Sequence, residues 1–186
     1  EELFPPDERT SFKFPPGFPY PITAIEDAES ASEMLRDAWQ LGCAGIGNLI
    51  EVLESQGIKV GLVDGVERFD ACTFWVNVQS PVIAIRRSLP GGRQRFSLAH
   101  ELGHLMLDIQ PTVDTEKAAH RFAAAFLVPA QNAIMELGHS RHLLDVNELL
   151  LLKKKYGMSM AAWVYRAKDL GILSNNDTLR HWKDFS

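Results

Sequence analysis

In the stretch RFSLAHELGHLMLD, residues 95–108, His100 and His104 stand four apart with Glu101 beside the first. On a helix this spacing puts both imidazoles on one face, one turn apart, where both reach a single Zn²⁺ at about 2.0–2.1 Å. Glu101 then sits next to the ion and is placed to take a proton from water activated there. Phe96, Leu98, Ala99, Leu102, Leu105, Met106 and Leu107 make the helix apolar on nearly every side, which predicts a buried central element. Two histidines and a glutamate in such a place cost several kcal/mol, on the order of a lost hydrogen bond each, unless something satisfies them. A divalent cation does so; the ordinary alternative is a pair of hydrogen-bonded core histidines. Gly103 costs ~1 kcal/mol against alanine inside a helix, so it implies close packing or substrate approach at that turn.

Catalytic zinc takes three protein ligands and leaves one position open. Asp108 continues the four-residue series, but a group eight residues from His100 lies ~12 Å along a straight helix, so the third ligand must come from another element. Glu116 is the leading candidate: Glu116, His120, Ala123 and Leu127 share one face of the next helical segment, with the acid at the head of an apolar stripe. The ordinary alternative for Glu116 is a charge favoured by the dipole at a helix N-terminus. His120, one turn further on, is a candidate ligand, a candidate oxyanion stabiliser or second-shell group, or a bland residue. His139, His142 and His181 have no ligand spacing.

The elements that must carry these groups are legible from pattern. Residues 1–23 hold prolines at 5, 6, 15, 16, 19 and 21 and phenylalanines at 4, 12, 14 and 18. They predict an extended arm or linker packed along the body. Helical periodicity over 25–42 places Ala28, Ala31, Leu35, Ala38 and Trp39 on one stripe, and a second helix is predicted over 45–57. Strand signals follow in IKVGLV, CTFWVNV and VIAIRR, with VNVQSPVIAI reading as a hairpin. The chain turns helical after LPGGRQ until about Asp108, resumes in TEKAAHRFAAAFLV, and continues in helices over roughly 130–138, 145–156 and 159–170. The class is therefore α+β, a small antiparallel sheet among helices. The expected organisation is an arm over 1–23, a metal-binding domain over 24–140 and a helical region over 141–186 packed on it.

Composition narrows the rest. With 186 residues, 46% hydrophobic and 23% charged, the chain has the make-up of an ordinary globular protein with one core. No apolar run approaches the ~20 residues of a membrane span, no secretory leader is evident, and Cys43 and Cys72 have no framework spacing. A cytoplasmic protein with reduced thiols is expected. The net charge of −5 is uneven: residues 1–60 carry 4 Lys/Arg against 11 Asp/Glu, and residues 141–186 carry 8 against 5. A wholly nucleic-acid-binding chain would be basic throughout.

The pair of segments RQRFSLAHELGHLMLD and EKAAHRFAAAFLVP resembles the two-part signature of the ImmA/IrrE family of zinc metallopeptidases. VNVQSPVIAIRRSLPGGRQ and SMAAWVYRAKDLGIL extend the similarity to about residues 28–175. The resemblance implies a zincin-like core with Zn²⁺ as cofactor, His100, His104 and Glu116 as ligands, and Glu101 as general base. It also implies a protein substrate of one kind, a helix-turn-helix repressor or antitoxin, whose cleavage releases a stress-response or mobile-element programme. The chain departs from the family's pattern at one position, where an asparagine of the signature is His120.

LLLLKKKYGMSMAAWVYRAKDLGIL has the layout of a helix-turn-helix, and Lys153, Lys154 and Lys155 are candidate DNA contacts within it. The cluster Arg86, Arg87, Arg93 and Arg95 reads as solvated charge or substrate-docking groups. Two classes of function stand: a zinc endopeptidase acting on a regulator, or a metal-containing binding module (a toxin, sensor or DNA-binding regulator) that works without proteolysis.

Overall fold

The computed structural model describes residues 11–64, 68–76 and 79–178. Residues 1–10 of the arm with Phe4, the expected hairpin's residues 77–78, and His181 lie outside the described residues. The most buried element is α4, Thr115–Leu127, whose Ala118, Ala119, Phe122, Ala123 and Phe126 are fully enclosed. Asp114 caps it by accepting from the Lys117 backbone N–H at 3.1 Å. Around α4 pack α1 (Asp27–Ala38), α3 (Gly91–Met106) and, later in the chain, α7 (Met160–Asp169). Of the stripe expected on α1, Ala28, Ala31 and Leu35 are inaccessible and Trp39 meets Phe126 edge-on, whereas Ala38 is exposed.

A three-stranded sheet covers part of α3. Its strands are β2 (Lys59–Val63), β3 (Ala71–Val76) and β4 (Ser80–Arg86), in the order β2-β4-β3. β3 and β4 are antiparallel as expected, with Thr73 opposite Ile83 and Trp75 opposite Pro81. β2 runs parallel to β4, so the sheet is mixed rather than purely antiparallel. The cause is topological: β3 passes to the outside first, and the chain returns as β4 between it and β2. Ile83 and Ile85 point inward from the central strand and are fully buried, leaving β3 as an edge of this sheet beside α3.

Three boundaries differ from the periodicity. α1 ends at Ala38, four residues before the expected end at Gly42. α2 (Leu49–Ser55) begins four residues later than expected, where Asn48 accepts from the Glu51 N–H at 3.3 Å; Gly45 and Gly47 before it are poor helix formers. α3 ends at Met106 because Leu107–Ile109 form β5, paired in parallel with β1, Tyr20–Ile22. The arm thus finishes in a strand tied to the chain just after α3, and Asp108 is an exposed strand residue, not a helical one. Before that strand, Phe12 and Phe14 lie against Trp75 at ring separations of 5.6 and 6.1 Å.

The C-terminal helices follow the sequence closely: α5 (Ala130–Leu137), α6 (Val146–Tyr156) and α7. Gly157 turns α6 into α7 with φ of +66°, and a Cβ there would sit 2.9 Å from Arg95 Cδ, so glycine is required twice over. Trp163, Val164 and Ala167 bury the inner face of α7. The fully buried Arg166 donates to the Val128 carbonyl at 3.0 Å and pairs with Glu29 of α1.

Candidate metal centre

The centre exists because α3 and α4 come unusually close. At Gly103 an added Cβ would lie 3.1 Å from Phe122 Cδ1 and 3.3 Å from Ala119 Cα. Of the two explanations left open for this glycine, close packing is the observed one. With the helices in contact there, the N-terminal turn of α4 is carried up beside His100 and His104, and Glu116 projects between them.

His100 Nε2 lies 3.0 Å from His104 Nε2 and 3.2 Å from Glu116 Oε2, and His104 Nε2 lies 3.4 Å from Glu116 Oε1. Two facing ring nitrogens and a carboxylate share too few protons to satisfy every lone pair. Ligands held tetrahedrally at about 2.0–2.1 Å from an ion are separated by about 3.3–3.4 Å. The observed separations of 3.0–3.4 Å fit that requirement, and these three residues form a group able to hold a metal ion. Burial, followed by the neighbouring His120 and His104, pushes the His100 pKa down to about 4, which keeps its imidazole neutral and its lone pair available near pH 7. Its Nδ1 is buried with no hydrogen-bond partner among the described residues. Glu116 heads the apolar stripe as expected, but it emerges beyond the core, with 69% of its side chain exposed.

Glu101 lies on the sheet side of the group. Its Oε2 accepts from Thr73 Oγ1 of β3 at 2.9 Å, which ties the carboxylate to the edge strand. Cys72, next on that strand, has its thiol pushed up by burial and then by the charge of Glu101, so it is no thiolate nucleophile. His120 is on the opposite side, its ring centroid 4.4 Å from that of His100 and 5.7 Å from Phe96. Its Nδ1 lies 2.9 Å from the Glu116 carbonyl. A carbonyl only accepts, so Nδ1 carries the proton and Nε2 keeps its lone pair in the neutral ring. His120 is absent from the three-residue donor group but borders it.

Beyond these residues opens a cleft of about 880 Å³, bounded by Phe96 of α3, Glu116 and His120 of α4, and Ala161, Ala162 and Tyr165 of α7. The cleft and Thr73 carry no sequence motif.

Other singled-out residues lie elsewhere. Asp108 is on β5, paired with Pro21. Lys153, Lys154 and Lys155 end α6, where the helix dipole favours cations, and Lys155 is held by Glu136 at 2.5 Å. Arg86 and Arg93 both pair with Asp70, Arg87 pairs with Asp64, and Arg95 donates to the Ile46 and Gly47 carbonyls. Arg87 and Arg93 are thus solvated charges in surface ion pairs, 57% and 61% exposed, while Arg95 is engaged with backbone carbonyls. Both cysteines are free thiols, and no helix among the described residues is long and apolar enough to cross a membrane.

The comparisons with known proteins agree with this architecture. A solved structure described as a Mycobacterium tuberculosis transcriptional regulator superposes with a TM-score of 0.54 at 18% identity. The alignment covers 75% of this chain and 46% of that one, so this chain spans less than half of that regulator's length and the likeness is one of fold. A comparison with curated protein sequences gave no match. The family model for the IrrE N-terminal-like domain, Peptidase_M78, matches residues 54–168, which takes in β2 to α7, both histidines and Glu116. The chain therefore belongs to the IrrE N-terminal-like family, a metallopeptidase family.

Proposed function

We propose that the protein is a zinc-dependent endopeptidase that cuts a helix-turn-helix transcriptional repressor. One observation carries the reading: three donor atoms converge from α3 and α4 while Glu101 is held against the edge strand. The family match supports peptidase chemistry, and the regulator among the structural neighbours supports a link to transcription.

His100, His104 and Glu116 would hold the ion, two neutral imidazoles and one carboxylate suiting zinc. The bound metal would polarise the scissile carbonyl and ease deprotonation of water. Glu101 accepts that proton and returns it to the leaving amine, its carboxylate aimed by Thr73. An extended peptide adds along the edge of β3 that carries no strand partner among the described residues, borrowing main-chain hydrogen bonds. His120, with Nδ1 committed to the Glu116 carbonyl, offers a donor to a developing oxyanion only when doubly protonated.

Glu101→Gln tests the proposal. Its zinc content, measured by mass spectrometry of the purified protein, should equal wild type, while cleavage of a co-expressed repressor should fall by at least about 1,000-fold. A variant that keeps its full biological effect would mean a binding module, not a protease.

A further inference from the structure

α7 has the position of a recognition helix in the helix-turn-helix layout, yet its outer face does not look away from the protein. Ala161, Ala162 and Tyr165 line the cleft that begins at Glu116 and His120. Phe96, one turn before His100, forms the facing wall. From these placements we infer that the cleft between α4 and α7 is a substrate subsite, in which Tyr165 and Phe96 clasp a bulky apolar side chain next to the bond that is cut.

The inference rests on the metallopeptidase reading and adds to it a selectivity. Three features point to an apolar occupant. The cleft is continuous with the donor group, since Glu116 and His120 border both, so a peptide whose carbonyl reaches the metal must lay a neighbouring residue here. Its basic groups are already matched: Arg93 by Asp70, Lys117 by Asp114 and Arg121 by Glu26. Lys168 and Asp169 lie side by side at the rim. The lining carries four bases and four acids, with Glu116 turned to the donor group, so no net charge selects an ionic side chain. The small residues Ala124, Ala161 and Ala162 leave the space, and about 880 Å³ holds a large side chain with its flanking backbone.

Hydroxamates provide the test, because they bind metal directly and carry a chosen side chain. Their binding to the zinc-loaded protein is measured by calorimetry, with acetohydroxamate as the probe of the metal alone. The leucine and phenylalanine hydroxamates are expected to bind about tenfold or more tighter than the glycine one, as burial of a large apolar side chain implies. Ala162→Trp, which fills the cleft, should cut that ratio to about twofold while acetohydroxamate binds unchanged. Tyr165→Ala, a milder change at an exposed position, should lower the phenylalanine preference about fivefold. Equal binding of the glycine and leucine compounds, or full discrimination in Ala162→Trp, overturns the subsite and leaves the metal centre standing. Failure of acetohydroxamate to bind overturns the metal reading and the subsite together.

Discussion

α4 meets α3 on one side and α7 on another, and small residues serve opposite ends at the two meetings. Against α3, Gly103 and Ala119 let two backbones touch, so that no further carbon fits. Towards α7, Ala124, Ala161 and Ala162 face one another across open space. What separates the cases is how the helices are pinned. α3 and α4 meet in a close seam where Gly103 packs on Ala119 and Phe122. α7 buries Trp163, Val164 and Ala167 in the core and is fixed beside the cleft by polar contacts: Arg166 holds Glu29 and the Val128 carbonyl, and Arg121 donates to the Asp169 carbonyl at 3.1 Å. Close backbone contact is what precise placement of donor atoms calls for, whereas the wider spacing at Ala124, Ala161 and Ala162 leaves a cleft beside them.

The seam's product is the most sensitive thing to remove. Glu116→Ala takes away the one donor that α4 supplies to the three-residue group and should weaken zinc binding by about 100-fold or more, whereas Asp108→Ala on β5 should leave it unchanged. Zinc content after dialysis reads the difference; loss in the Asp108 variant alone would reassign the third ligand. The pins come next. Arg166→Met strands the Glu29 carboxylate, 18% exposed, beside a buried cavity. It should cost about 3 kcal/mol of stability, seen as a lowered Tm. Arg121 Nε lies 3.8 Å from Glu29 and softens that loss. Gly103→Val then tests the seam itself. The new side chain meets the Ala119 backbone, which cannot swing away, so a loss of roughly 2 kcal/mol is expected. That is a fall in Tm of about 4–8 °C, with weaker zinc binding as Glu116 is displaced. An unchanged metal affinity would show that the seam does not set the ligand geometry.

This contrast also divides what the sequence discloses from what it hides. His100, Glu101 and His104 are readable because helical spacing alone puts them together, and Glu116 because a charge at the head of an apolar stripe is anomalous. The C-terminal helices are readable from their caps and glycines, Asp145, Gly157 and Ser159. The end of α3 was misjudged because its periodicity continues through Leu107, while the strand there depends on Tyr20–Ile22, more than eighty residues away. The direction of β2 was hidden for a related reason: parallel or antiparallel is decided by which strand takes the middle place, not by the strand's own residues. The cleft was invisible altogether, since an alanine looks the same in sequence whether it fills a contact or borders a void.

The smallest effect expected comes from Thr73, whose hydroxyl meets both the carbonyl and the carboxylate of Glu101. Thr73→Val keeps the shape of the edge strand and removes only the hydroxyl that donates to Glu101 Oε2 at 2.9 Å. A hydrogen bond to a charged group contributes about 1.5–3 kcal/mol when enclosed, and the partial exposure of this pair puts the effect at the lower end, near tenfold. Thr73 touches no donor atom of the metal group, so zinc content should not change. If Thr73 aims the base, kcat falls while KM for a peptide substrate holds, and Thr73→Ser, which restores the hydroxyl, recovers most of the rate. A fall in KM-dependent binding with no recovery in the serine variant would make Thr73 a wall of the peptide track instead, and would leave Glu101 to be positioned by its helix alone.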